Sequence, residues 1–166
     1  MSHFNYNRLY VQGVTMYPIQ RFTDEYAESL LSFLQCCLPE SGRQLDLKGR
    51  HKIYLDVKHS FEAFWIMFGS GKIIGTAGLK RLDEGRCELK SLYLYERYQG
   101  RGLGRKLLET VILEARRVDY KEMYLDTLSS SKRALALYEK AGFVITERYN
   151  ENRAADIFMV LKLDRK

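Results

Sequence analysis

Cysteine is scarce in this chain, and so are histidine and long apolar runs. Its three cysteines, Cys36, Cys37 and Cys87, form an odd and unpatterned set. Neither a disulfide framework nor a zinc site has the spacing it needs, which points to a reducing cytosol and a cytoplasmic protein. The three histidines, His3, His51 and His59, are too scattered to suggest a metal centre. No apolar stretch approaches the roughly 20 residues that cross a bilayer, and the N-terminus has no secretory pattern, so no membrane association is expected.

What the chain does contain is ordinary globular material. Its 166 residues are 46% apolar and 29% charged, enough for one domain with a core that needs no staples. The formal charge of +6 fits a phosphate-bearing ligand, an acidic substrate or nucleic acid. No nucleic-acid recognition motif is present. Arg101, Arg105, Lys106 and Arg133 lie in or near a glycine turn or at a later helix start, which favours the ligand.

That glycine turn, Gln99-Gly100-Arg101-Gly102-Leu103-Gly104, is the most informative stretch. An aromatic-rich strand leads in and an amphipathic helix leads out. Glycines let the main chain approach a phosphate, and the free N–H groups of a new helix point at it. The surrounding pattern reads β, α, a three-strand meander, α, β, α, β, β. Residues 1–13 read as a leader or tag-like segment, and 14–166 as a single domain. A first strand is expected over 14–20. A helix follows, with Thr23 as its N-cap and Pro39 at its end. Residues 40–60 read as a loop with at most a short helix. Strands are expected over 61–68, 72–81, 87–95 and 122–127, and helices over 102–118 and 131–141, the latter stopped by Gly142. Strands over 143–149 and 155–163 close the chain around a polar turn at 150–153. The crossover rule makes 87–95 and 122–127 parallel neighbours.

Three kinds of glycine loop compete for the motif. A P-loop needs Lys-Ser/Thr directly after its last glycine, and Arg105-Lys106-Leu107 does not supply it. A dinucleotide fingerprint needs glycine at 105 or 107, where Arg105 and Leu107 stand, although Asp126 sits where a ribose-binding acid would. The third fits at many positions. Gln99, Gly102 and Gly104 satisfy Gln/Arg-x-x-Gly-x-Gly/Ala, and Ala134, Leu137, Tyr138, Gly142 and Phe143 satisfy A-x-x-L-Y-x-x-x-G-F downstream. On these two motifs, segment 86–163 resembles the GNAT superfamily of acyl-CoA-dependent N-acetyltransferases.

The resemblance implies an α/β GNAT fold: a mixed, mostly antiparallel sheet of about six to seven strands, splayed into a V near residues 92–94 and flanked by about four helices. It implies acetyl-CoA as co-substrate, with no metal, and transfer of the acetyl group to a primary amine by direct attack in a ternary complex. The main chain of Gln99, Gly100, Arg101, Gly102, Leu103, Gly104 and Arg105 would grip the pyrophosphate. That of Leu92, Tyr93 and Leu94 would pair with the pantetheine arm and polarise the thioester carbonyl. Thr127 and Ser131 are further cofactor contacts; Ser131 stands where many members have asparagine, and a hydroxyl replaces only one of its hydrogen bonds.

Tyr138 matches the tyrosine that protonates the departing thiolate, the alternative being an aromatic packed between helix and sheet. Glu88 matches the general-base glutamate of the histone-acetylating branch, the alternative being a pairing with Lys80 or Lys90. A base is chemically useful because a lysine-like amine is only about 0.04% neutral at pH 7. The acceptor is expected to be a small-molecule amine or amino acid, entering beside residues 40–60, whose basic excess suits a carboxylate. A protein lysine or N-terminus is the alternative, as is a non-enzymatic acyl-CoA-binding module. A homodimer through the closing strands is common in that family.

Overall fold

The computed structural model describes residues 10–11 and 14–164. A two-strand ribbon, β1 (Tyr10–Val11) with β2 (Val14–Thr15), precedes a seven-stranded sheet. The rest of the expected leader lies outside the described residues. In chain order come β3 (Ile19–Arg21), α1 (Ala27–Glu40), α2 (Val57–Ser60), β4 (Ala63–Gly69), β5 (Lys72–Arg81), β6 (Arg86–Leu94), α3 (Leu103–Arg117), β7 (Glu122–Thr127), α4 (Lys132–Ala141), β8 (Val144–Ile145) and β9 (Ile157–Lys162). The sheet order is β3-β4-β5-β6-β7-β9-β8. All pairs are antiparallel except β6 with β7, as the crossover through α3 requires. This is the mixed sheet with four helices that the motifs imply.

Side-chain alternation divides the core between two faces. On β4, Ala63, Trp65 and Met67 pack toward α3 and α4, while Phe64, Ile66 and Phe68 pack toward α1 and α2. Leu30, Leu34 and Leu38 of α1 are fully buried, a stripe of one residue per turn. Leu107, Leu108, Val111 and Ala115 do the same for α3. Each such leucine contributes roughly 1.5–3 kcal/mol by leaving water.

Four expectations need correction. The first strand is broken into β2 and β3, because Pro18 has no N–H for a ladder and keeps only its carbonyl bond from Phe68 N–H at 2.9 Å. Thr23 makes no side-chain cap; its hydroxyl donates to Glu25 Oε1, and a 3-10 turn over Asp24–Tyr26 leads into α1. Pro39 sits inside the last turn of α1 rather than ending it, and the helix stops at Ser41 before Gly42 at φ +74°. The strand expected over 143–149 survives only as β8, because beyond Thr146 the chain turns the side chains of Tyr149 and Asn150 inward to a polar cluster.

Candidate active site

The site begins where two parallel strands part. β6 and β7 pair only through Arg86, Cys87 and Glu88, opposite Glu122, Met123 and Tyr124. Past Glu88, β7 stays with β9 to Thr127 and β6 stays with β5 to Leu94. The strands therefore diverge as a V. The register between β5 and β6 shifts between Thr76 and Gly78, leaving Ser91 and Leu92 opposite the single residue Ala77. Ser91 stands at φ +58°, a left-handed conformation that costs a non-glycine residue about 1–2 kcal/mol. Two bonds hold it there. Thr76 Oγ1 donates to the Ser91 carbonyl at 2.7 Å, and the Tyr54 hydroxyl lies 2.6 Å from Ser91 Oγ. Such a bulge bends its strand and leaves main-chain groups outside the ladder.

A cleft of about 780 Å³ fills the V. Leu92, Tyr93, Leu94, Gln99, Thr127, Ser131 and Tyr138 all line it. Directly after Gln99 of the lining, Gly100 and Gly102 take φ +74° and +75°, which only glycine adopts without strain. The first hydrogen bond of α3 runs from Lys106 N–H to Gly102 O at 3.1 Å. Among the described residues, the N–H groups of 100–105 have no carbonyl acceptor. With the positive end of the α3 dipole behind them, they form an anion cradle whose chemistry fits a pyrophosphate. Gln99 braces it: its Nε2 donates to Leu94 O at 3.2 Å, and its Oε1 accepts from Arg133 Nη1 at 3.2 Å.

Other sequence candidates stand elsewhere. Arg101 donates to the Tyr17 hydroxyl at 3.3 Å and Arg105 pairs with Glu109 at 2.7 Å, so neither lines the cleft. The Leu103 side chain is core, and Gly104 packs in the first turn of α3 against Leu137. Ser131 precedes α4 without capping it through its side chain.

Tyr138 is 7% exposed, its ring tilted against Phe143 at 5.8 Å. Its hydroxyl has no hydrogen-bond partner among the described residues, and the residue lines the cleft. Burial raises its pKa above 10, Tyr93 and Asp126 adding to the rise and Arg43 opposing it, so the phenol is protonated throughout the neutral range.

Glu88 is 4% exposed and well partnered. Its Oε2 accepts from the Tyr149 hydroxyl at 2.6 Å and from Asn150 Nδ2 at 3.2 Å, and its Oε1 lies 3.4 Å from Lys90 Nζ. Asn150 Nδ2 also donates to Asp126 Oδ2 at 2.6 Å, Asn152 Nδ2 to Asp126 Oδ1 at 3.0 Å, and Lys90 lies 3.8 Å from Asp126. Two carboxylates on adjacent parallel strands thus share one lysine and one amide. Lys90 and Asp126 line the cleft; Glu88 sits behind them. Charged groups on the cleft are Arg43, Arg50, Lys90, Lys132 and Arg133 against Glu40, Glu96 and Asp126, a balance suited to an anionic ligand. Cys37 also lines it, but burial first and Glu40 second push its thiol up to about 12, and burial does the same for Cys87. Both are protonated at neutral pH and unsuited to nucleophilic attack.

Sequence reasoning missed Thr76, Tyr54 and Ser91 as a unit, and His51, Arg43 and Arg50 as cleft residues. The partners within that unit lie 15 and 37 residues apart, so no local pattern announces it, whereas His51, Arg43 and Arg50 fall in the 40–60 segment whose basic excess is visible without naming them. Among the described residues, no group of three His, Cys, Asp or Glu is placed to hold a metal ion, and no helix is long and apolar enough to cross a membrane.

Residues 24–143 match the family described as "Acetyltransferase (GNAT) family". The Escherichia coli K12 protein described as uncharacterized N-acetyltransferase YjgM is 32% identical over 96 residues, 56% of this chain and 56% of its own. The chain spans about half the length of the curated relatives it matches. A GNAT-family acetyltransferase from Staphylococcus aureus Mu50 superposes with a TM-score of 0.81 at 23% identity, covering 90% of this chain and 100% of that one. The Salmonella typhimurium protein yncA, solved with acetyl-CoA, gives 0.70 at 23% identity, over 91% of this chain and 96% of that one. Fold, motifs and family match agree: this chain belongs to the acetyltransferase (GNAT) family.

Proposed function

We propose that the protein transfers an acetyl group from acetyl-CoA to a primary amine, a small-molecule amine or amino acid, by direct attack within a ternary complex. The observation that carries this reading is the parting of β6 from β7 after Glu88. It leaves one cleft with a phosphate cradle starting after Gln99 of its lining, a strand edge along it and an unpartnered phenol in its wall. Support for the cofactor comes from the Salmonella structure, which contains acetyl-CoA on the same fold.

When bound, acetyl-CoA supplies an acetyl thioester, already activated toward amines. The N–H groups of 100–105 hold its pyrophosphate, and the Leu92–Leu94 main chain aligns the pantetheine arm in place of a paired strand. A main-chain N–H around Leu92, where the bulge at Ser91 breaks the register with β5, would polarise the thioester carbonyl and stabilise charge developing on its oxygen. Glu88, or a water, accepts the proton that the attacking amine loses. Glu88 is linked to the cleft by Lys90 and by Asn150, whose amide also bonds Asp126. Tyr138 donates its hydroxyl hydrogen to the leaving sulfur and delivers the proton as the thiol departs. Neither Cys37 nor Cys87 is needed as a nucleophile.

Calorimetry with acetyl-CoA, followed by a thiol-release assay over a panel of amines, tests the reading. Saturable binding and amine-dependent release of CoA are expected. Absence of binding contradicts it outright, and binding without release for any amine reduces the protein to an acyl-CoA-binding module.

A further inference from the structure

The wall of the cleft built by the loop after α1 holds a donor with no acceptor among the described residues. His51 is 3% exposed, and Asp46 N–H donates to its Nδ1 at 2.8 Å. A backbone N–H only donates, so Nδ1 carries the lone pair and the neutral ring has its hydrogen on Nε2. Burial, then the charge of Arg50, lowers the pKa of His51 below 6.5, which keeps that tautomer at neutral pH. Nε2 is itself buried, has no hydrogen-bond partner among the described residues, and belongs to a side chain lining the cleft. Buried donors in folded proteins are almost always satisfied, and one that is not points to a missing ligand.

Arg43 and Arg50 line the same cleft, and the charges of both act on His51. Their side chains make no hydrogen bond or ion pair to the described residues. The corner also adjoins the centre of the proposed reaction. His51 stacks on Tyr54 at 5.9 Å and 27°, and the Tyr54 hydroxyl reaches Ser91 of the bulge.

We infer that this corner is a carboxylate subsite for the acceptor: the amine acetylated here also carries a carboxylate, which accepts from His51 Nε2–H and is charge-paired by Arg43 and Arg50. A neutral carbonyl would satisfy the imidazole and leave both guanidinium groups unmatched, whereas a carboxylate accepts from all three. This deepens the acetyl-transfer reading and rests on it for the word acceptor. The cradle at 100–105 contributes no residue to the cleft lining that holds His51, Arg43 and Arg50, so the corner is separate from the pyrophosphate.

The test uses the full chain labelled with ¹⁵N-histidine and saturated with CoA. The probes are glycine, L-glutamate, L-lysine and L-phenylalanine, each against its C-terminal amide. The Nε2–H signal of His51 is assigned with His51→Gln. At least one free acid is expected to shift that signal, with its amide binding at least tenfold more weakly. Arg50→Gln, on an exposed side chain, is expected to weaken the acid at least tenfold and leave the amide unchanged. The inference is overturned if acid and amide bind alike, if no free acid moves the signal, or if CoA alone accounts for the shift. If an acid moves the signal yet no amine is ever acetylated, the subsite stands and the proposed reaction falls.

Discussion

The Tyr149 hydroxyl donates to Glu88 Oε2 at 2.6 Å, joining the loop between β8 and β9 to the strand that opens the V. The bond explains why the chain abandons its ladder after Thr146. A longer β8 would leave Glu88, 4% exposed, without its nearest donor. Stranding a buried charged group in that way costs about 1–3 kcal/mol or more. Tyr149→Phe is expected to destabilise the protein by about 1–3 kcal/mol in urea denaturation while retaining acetyl-CoA affinity. An unchanged midpoint would mean that the bond contributes nothing.

The bulge is a second place where one hydrogen bond carries a local geometry. Thr76 is fully buried and donates to the carbonyl of Ser91, a serine at φ +58°. Thr76→Val keeps the shape and removes the donor. We expect about 1–3 kcal/mol of lost stability. We also expect a drop in kcat of at least tenfold with little change in acetyl-CoA binding, because the main chain around Leu92 loses its aim. Equal loss in kcat and in cofactor affinity would show the bulge to be a binding feature instead.

At the cradle, Gly102→Ala isolates conformation from crowding. Beyond its two chain neighbours, no atom of the described residues lies within 4 Å of the added methyl, but φ is +75°. The strain is worth about 1–2 kcal/mol, and the main-chain N–H groups shift to relieve it. Calorimetry is expected to show at least tenfold weaker acetyl-CoA binding, with a modest loss of thermal stability. Wild-type affinity would remove residues 100–105 from the cofactor site.

Alkaline pH should destabilise the fold. The Cys37 and Cys87 thiols are pushed up to about 12, chiefly by burial, and burial also raises Tyr120, Tyr138 and Tyr149. A raised folded pKa means that the unfolded chain gives up its proton first. The stabilisation is complete below the unfolded values, about 8.5 for Cys and about 10 for Tyr, and is lost as pH climbs toward the folded ones. Each group contributes at most about 1.4 kcal/mol per pH unit. Urea midpoints measured from pH 7 to 11 should fall above about 8.5, and Cys87→Ala should make the first part of that fall shallower. A flat profile would contradict the burial of these groups.

How far the sequence led can be judged from particular residues. The bounds of β5 and β7 were readable because turn residues or a helix end flank each run. Gly100, Gly102 and Gly142 announced their positive φ angles by being glycine. Ser91 did the opposite: it occupies a glycine-like angle, and only Thr76 and Tyr54, distant in sequence, explain it. The shared carboxylates Glu88 and Asp126 became neighbours only through parallel pairing, and Asn150 joined them only through the loop that cut β8 short. His51 looked like one of three scattered histidines, since an orphaned Nε2 is a property of the packed loop and not of the local sequence.

The most direct measurement of the central claim is steady-state CoA release from acetyl-CoA and an amine substrate, comparing the wild type with the double variant Glu88→Gln, Tyr138→Phe. Calorimetry should confirm that both bind acetyl-CoA alike. The account predicts intersecting initial-velocity patterns for the wild type and, for the double variant, a kcat lower by about 10²-fold or more. Unaltered turnover in the double variant, or parallel patterns in the wild type, would contradict it.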